Sequence, residues 1–274
     1  MPLVPGLFSK GGVAVTGYTM SGRHSRTLRD VVDYSRVMDP QLPLSWELLE
    51  SLRTLLGCDH IMIEGCDYGQ QALYFSQRIW AGETSFVREV DKVEKARFWQ
   101  LVLRSPNVEP FIPARNEALV TRPTDFRSLR EWRNMPVYAE FLRQGPGTTY
   151  ELFLQIPDGY RRQLRLIGFR ESGRDFNERE RFDLELLTPH IEGSYRRGER
   201  QRVLLELTPR QYSLLRRVSE GWTNQQIARR MGLAEGTVRT HLNNIYARLG
   251  VGSRTEAVTR VFGLSRHEIP FPSR

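Results

Sequence analysis

The chain has 274 residues, of which 39% are hydrophobic and 26% charged, with 40 basic against 32 acidic side chains. That length suits two cores, and the composition excludes a fibrous or low-complexity protein. Two cysteines, Cys58 and Cys66, are too few for a disulfide framework or a four-ligand zinc site, so both read as buried thiols and neither a metal nor another cofactor is expected.

Residues 1–26 are rich in Gly, Ser and Pro and read as a flexible leader. The opening MPLVPGLFSKGG lacks the basic start and unbroken apolar core of a signal peptide. No run approaches the roughly 18 apolar residues of a membrane span, so a cytoplasmic protein without a membrane partner is expected. A short helix is predicted over 27–38 and a second over 45–57, where Trp46, Leu49, Leu52 and Leu56 share a face, Ser45 caps the start and Gly57 ends it. The runs HIMIEGC (60–66) and QALYFSQRI (71–79) read as a hairpin. A helix at about 86–103, a Pro-rich loop over 105–125 and a helix around 125–143 follow. Two more strands, YELFLQIP (150–157) and RRQLRLIGFR (161–170), flank an Asp158–Gly159 turn, and a long helix over 175–196 closes the region. Helices around antiparallel strands predict an α+β domain over 27–192. Residues 193–206 read as a linker.

This first region offers no catalytic constellation. Its carboxylates, among them Glu47, Glu64, Asp67 and Asp91, pair with no nucleophile. In Cys58-Asp59-His60 a thiol and an imidazole two residues apart could share a strand face, an arrangement open to redox or haem chemistry, but a core thiol beside an incidental imidazole is the plainer reading. The chain is therefore expected not to be an enzyme.

The positive charge gathers at the other end. Residues 196–274 hold 15 arginines and 6 glutamates, whereas the first 195 residues hold 25 basic and 26 acidic groups. Such a local excess is the footprint of a polyanion-binding module. Within 207–263, ahead of a tail over 264–274, three capping boxes open three helices: Thr208-Pro-Arg-Gln211, Thr223-Asn-Gln-Gln226 and Ser253-Arg-Thr-Glu256. Between the last two, a helix from about Glu235 to Leu249 places Val238, Leu242, Ile245 and Leu249 on one stripe. Its opposite face carries Gly236, Thr240, Asn243, Asn244 and Ala247, flanked by Arg239 and His241, with no acid after Glu235. A small hydrogen-bonding face beside arginine suits the major groove, and the preceding helix would present its free amides to phosphate.

The stretch LTPRQYSLLRRVSEGWTNQQIARRMGLAEGTVRTHLNNIYARLGVGSRTEAV resembles the C-terminal DNA-binding domain of the LuxR/NarL class of bacterial transcription regulators. The resemblance implies a four-helix, helix-turn-helix domain in which Arg239, Thr240 and Asn243 face bases and Thr223, Asn224, His241 and Arg254 face phosphates. It implies pairing on promoter DNA through the last helix, at Ala257, Val258 and Val261, hence a homodimer, with RNA polymerase as a further partner. Gln211 stands where the family usually has Glu, and Ala234 where it usually has a Ser or Thr cap.

The first region lacks the element order and late lysine of a phosphorylated receiver, since no lysine follows Lys95. Its segments WELLESLRTLLGCDHIMIEG, RRQLRLIGFRES and GRDFNERERFDLELLTPHIEGSYRR are similar to GAF-type sensor domains, which implies a small-molecule sensor of unidentified ligand. An acyl-homoserine-lactone domain and a ligand-free protein-interaction module remain alternatives. Tyr68, Trp80 and Trp99 do not fall into the spacing of the former.

Overall fold

The computed structural model describes residues 21–88, 96–103, 117–142, 148–159 and 161–262. Its first unit is built on six antiparallel strands: β1 (His60–Asp67), β2 (Ala72–Trp80), β3 (Glu83–Arg88), β4 (Leu119–Thr121), β5 (Tyr150–Pro157) and β6 (Arg162–Arg170). They run in the order β3-β2-β1-β6-β5-β4. Two three-stranded meanders are thus joined through β1 and β6, which pair from His60–Phe169 to Asp67–Arg162. The helices are α1 (Gly22–Tyr34), α2 (Trp46–Leu56), α3 (Ala96–Val102), α4 (Leu129–Arg133) and α5 (Glu178–Glu206). This is the α+β sandwich expected.

Both expected hairpins form. Gly159 takes a positive φ of 105° in the Asp158–Gly159 turn, and the Asp158 carboxylate accepts hydrogen bonds from Tyr74 (2.8 Å) and Tyr195 (3.1 Å), tying the turn to α5. Helix α2 has the expected ends, with Ser45 capping Leu48 N–H and Gly57 left-handed at φ 59°. Four expectations shift. The first helix starts at Gly22 rather than 27, because Ser21 accepts from His24 N–H as its cap. The stretch assigned to a helix at 86–103 contains a strand end, β3, and the helix over its described residues spans only Ala96–Val102. The helix expected at 125–143 is two short pieces, α4 and a π turn at Tyr138–Leu142. The supposed linker, 193–206, continues α5 without a break, so that this helix is 29 residues long. The leader up to residue 20 and the tail lie outside the described residues.

One face of the sheet packs on α1, α2 and α5. Ile61 and Ile63 of β1, Leu152, Leu154 and Ile156 of β5, and Leu164 and Leu166 of β6 meet Leu48, Leu49, Leu52, Leu184, Leu187 and Ile191 there. Arg170 closes one end of this layer. It donates to Leu56 O (2.6 Å) and Gly57 O (2.9 Å) at the C-terminus of α2, pairs with Glu180 (2.9 Å), and lies 4.1 Å over the Phe176 ring. A cation there satisfies carbonyls that the helix end leaves open. The thiol and imidazole of Cys58-Asp59-His60 part company: Cys58 is in this core, while His60 bonds Glu171 (2.7 Å) and stacks on Trp80 on the other face. Burial pushes both cysteine thiols up to about 12, so neither is a thiolate.

The other face is buried too, although its strands alternate apolar with polar. Cys66, Tyr68 and Leu73 pack with Trp99 of α3, Trp132 of α4 and Tyr138. Beneath them Glu64, Glu151, Gln163 and Arg165 are all at most 6% exposed. Arg165 pairs with Glu64 at 2.6 Å. Burial, partly offset by the Arg165 charge, pushes the Glu151 carboxyl up to about 8. The folded protein therefore holds a proton on Glu151 that the unfolded chain has released above its ordinary carboxylate range, so this group's contribution to stability falls as pH rises toward about 8. Glu151→Gln should raise the melting temperature at pH 8 and change it little at pH 5. An equal shift at both values would show that Glu151 does not titrate this way.

Among the described residues, no helix is long and apolar enough to cross a membrane, and no group of three His, Cys, Asp or Glu could hold a metal.

Candidate nucleic-acid interface

The second unit has helices α6 (Pro209–Ser219), α7 (Asn224–Met231), α8 (Glu235–Leu249) and α9 (Arg254–Phe262). Its core joins Leu214, Leu215 and Val218 of α6, Ile227 and Ala228 of α7, Val238, Leu242, Ile245 and Leu249 of α8, and Ala257, Val258 and Val261 of α9. The caps follow the sequence. Thr208 with Gln211 and Thr223 with Gln226 form reciprocal boxes. Ser253 accepts from Glu256 N–H, but Glu256 turns back to Gly252 N–H instead of closing a box. Ala234 gives α8 no side-chain cap, which costs about 1 kcal/mol relative to Ser or Thr.

The apolar stripe of α8 is buried and its other face is open. Gly236, Thr237, Arg239, Thr240, Asn243, Asn244 and Ala247 are exposed. The Thr240 hydroxyl bonds back to Gly236 O at 3.1 Å and keeps its lone pairs outward. Arg239 makes only a loose contact with Glu235, 3.9 Å apart with its side chain 70% exposed, so it is free to reach elsewhere. The tight left-handed turn at Gly232 (φ 63°) sets α7 against α8. Arg229 and Arg230 end α7 exposed beside this turn; in the sequence they look like ordinary solvated helix residues.

The remaining expected contacts divide. Thr223 is exposed at the start of α7, its oxygen accepting from Gln226 N–H. Asn224 and His241 are half-buried. Arg254 is turned inward: it donates to Val218 O (3.2 Å) and Trp222 O (2.5 Å) and approaches Asn224 Oδ1 (3.5 Å). It locks α9 onto the α6–α7 turn, a use of arginine in which three carbonyl-type acceptors replace a phosphate. Arg248 likewise meets Glu206 O (3.0 Å) and Gln211 (3.4 Å) rather than a carboxylate. Ala257, Val258 and Val261, expected at a pairing surface, are buried at 0%, 9% and 1% in the unit's own core. The nine-residue helix therefore packs this stripe inward on α6 and α8. Its exposed positions are Thr255 and Glu256.

Arg254→Ala should therefore lower stability by about 2–3 kcal/mol, the scale of losing charged hydrogen bonds to half-buried carbonyls, read as faster amide exchange over 218–224. A loss of DNA affinity with unchanged exchange would return Arg254 to direct phosphate contact.

Residues 205–261 match the family of bacterial regulatory proteins, luxR family. This C-terminal unit is a LuxR-family helix-turn-helix domain. The curated relatives match over stretches of comparable length. The probable transcriptional regulatory protein SgaR of Hyphomicrobium methylovorum is 45% identical over 65 residues, 24% of this chain and 31% of SgaR. The nitrate/nitrite response regulator protein NarL of Escherichia coli is 35% identical over 79 residues, 28% of this chain and 37% of NarL. The chain thus spans well under half the length of these relatives, and the likeness is one of the LuxR-family domain. Among solved structures, Escherichia coli SdiA superposes with a TM-score of 0.46 at 13% identity, covering 87% of this chain and 96% of that one.

Proposed function

We propose that the protein is a bacterial transcription regulator that binds promoter DNA as a homodimer through its LuxR-family domain. The observation that carries this reading is the open face of α8, whose exposed side chains after Glu235 are Thr, Asn, Ala and Arg, held rigidly by a buried apolar stripe. Base edges in the major groove offer donors and acceptors that Arg, Asn and Thr match. In this reading Arg239, Thr240 and Asn243 touch bases, and Thr223, Asn224 and His241 lie toward phosphates with the amide end of α7. Arg254 contributes by holding the α6–α7 turn.

The N-terminal domain is then the input. Its GAF-like segments favour a small-molecule sensor, and the lack of lysine after Lys95 argues against a phosphorylated receiver. The regulator is thus of the one-component kind, with RNA polymerase as a partner at the promoter. The test is selection of duplexes from a random pool by the full chain at low salt. A recovered two-fold operator whose log affinity falls steeply and linearly with log salt is expected, since arginine–phosphate contacts release counterions. An unenriched pool overturns the reading.

A further inference from the structure

A cleft of about 600 Å³ opens where strand β3, the turn at 39–42 and the last turn of α5 meet. Its walls include Leu42, Trp46, Phe86 and Leu205, with Arg88 and Arg202 beside them. Trp46 and Phe86 pack one side against the inner core and leave the other to the cleft. Leu205 is 72% exposed, the most open large apolar side chain among the described residues. The acidic groups here are engaged within the wall. Glu199 and Glu206 both accept from Arg202, at 3.0 and 2.6 Å, and Asp39 accepts from Gln41 N–H at 2.8 Å. Arg88 is different. Among the described residues it meets the Gln41 carbonyl (2.8 Å) and the Phe86 ring (5.0 Å), and no carboxylate at ion-pair distance. Burial and the positive charge of Arg202 together hold Arg88 below its ordinary range. A carboxylate arriving beside it would offset both.

We propose that this cleft binds an amphipathic monoanion, a carboxylate on an apolar body the size of a naphthalene, with Arg88 holding the carboxylate and Trp46, Phe86 and Leu205 the body. A cleft of this volume, with a cation placed on an apolar wall, has the make-up of a small-molecule pocket. A neutral apolar molecule would leave Arg88 without a counter-ion, and a cation would meet Arg88 and Arg202. The cleft lies on the inner side of the sheet, away from Trp99 and Trp132. Its position also connects it to DNA reading. The Glu206 side chain accepts from Arg202, and its carbonyl accepts from Arg248 of α8 at 3.0 Å. A body seated on Leu205 and Arg202 therefore touches the segment that holds α8. This deepens the input half of the proposed function and rests on it.

The test uses the full chain with β-naphthoate and its neutral counterpart β-naphthamide, followed by isothermal titration calorimetry. Saturable binding of naphthoate is expected, with a Kd on the order of 0.1–1 mM for so few atoms. It should be about five- to tenfold tighter than that of naphthamide. Arg88→Met keeps the stem, loses the charge, and should bring naphthoate down to the affinity of the amide. Leu205→Ala should weaken both probes about three- to fivefold. Both side chains are exposed, so neither change threatens the fold. Glu151→Gln, on the outer face, should alter neither affinity. Naphthoate should also slow amide exchange over 199–206, where local opening has to expel it. The cleft is overturned if naphthoate does not bind, if the amide binds as tightly, or if Arg88→Met and Leu205→Ala bind naphthoate as the parent does. In the last case a ligand is still held elsewhere in the chain, so the sensor reading survives the site. Operator binding by the same preparations keeps the DNA reading separate from both.

Discussion

Replacing Arg165 with methionine should cost about 3–5 kcal/mol, the largest single loss in the N-terminal domain. Arg165 and Glu64 are buried together, their side chains 5% and 7% exposed, with 2.6 Å between Nη2 and Oε2. Methionine fills much of the same volume, so the loss is not a cavity. It is the carboxylate left behind, for which Arg165 is the one ion-pair partner among the described residues. A domain of this size has about 5–15 kcal/mol in all, so the variant should sit near the edge of unfolding. The double variant Arg165→Met with Glu64→Leu should recover most of the loss, because apolar pairs often replace buried ion pairs at little cost. Urea unfolding of the parent, both single variants and the double variant closes the cycle. Additive losses would mean that the two groups do not depend on each other.

Asn243→Ala should cost about 1–3 kcal/mol on the selected operator and almost nothing on a scrambled duplex. Asn243 is exposed on the polar face of α8, away from the apolar stripe that joins the domain core, so the change leaves the fold alone. An asparagine amide can both donate and accept, which suits adenine, and its removal should relax sequence choice at one position. Arg239→Ala should relax a different position and also flatten the salt dependence slightly, since its charge goes with it. The measurement is quantitative binding of each variant to both duplexes at matched salt. Equal losses on the two would take Asn243 out of base readout.

The C-terminal domain was nearly all visible in the sequence, and the N-terminal site was not, for a physical reason. Helix caps are local: Thr208, Thr223 and Ser253 each satisfy amides three residues away, and the apolar stripe of α8 has the period of its own helix. Such signals survive without knowledge of the rest of the chain. Strand β4 is three residues long and carries no period to read. Strand β3, ETSFVR, runs into a segment of helix-favouring Glu, Asp and Lys, and was absorbed by it. The outer face carries no local signal of its burial. The alternation in RRQLRLIGFR says that Gln163 and Arg165 look to water, whereas both are at most 5% exposed. Only the tertiary arrival of the two tryptophan-bearing helices turns a solvated-looking strand face into a closed polar interior. The apolar side chains of α9 that suggested a pairing surface lie in the domain's own core, a placement that helical periodicity alone does not distinguish from a pairing face.

Helix α5 runs unbroken from Glu178 to Glu206 and ends two residues before the cap of α6. At about 1.5 Å per residue it is a shaft of roughly 43 Å. Pro189 removes one amide from its ladder, yet the helix continues seventeen residues beyond it, so a slight roll where Leu184 and Ile191 seat it on the sheet would travel along it toward the reading head. Angular phase, more than distance, is then the quantity such a molecule has to set.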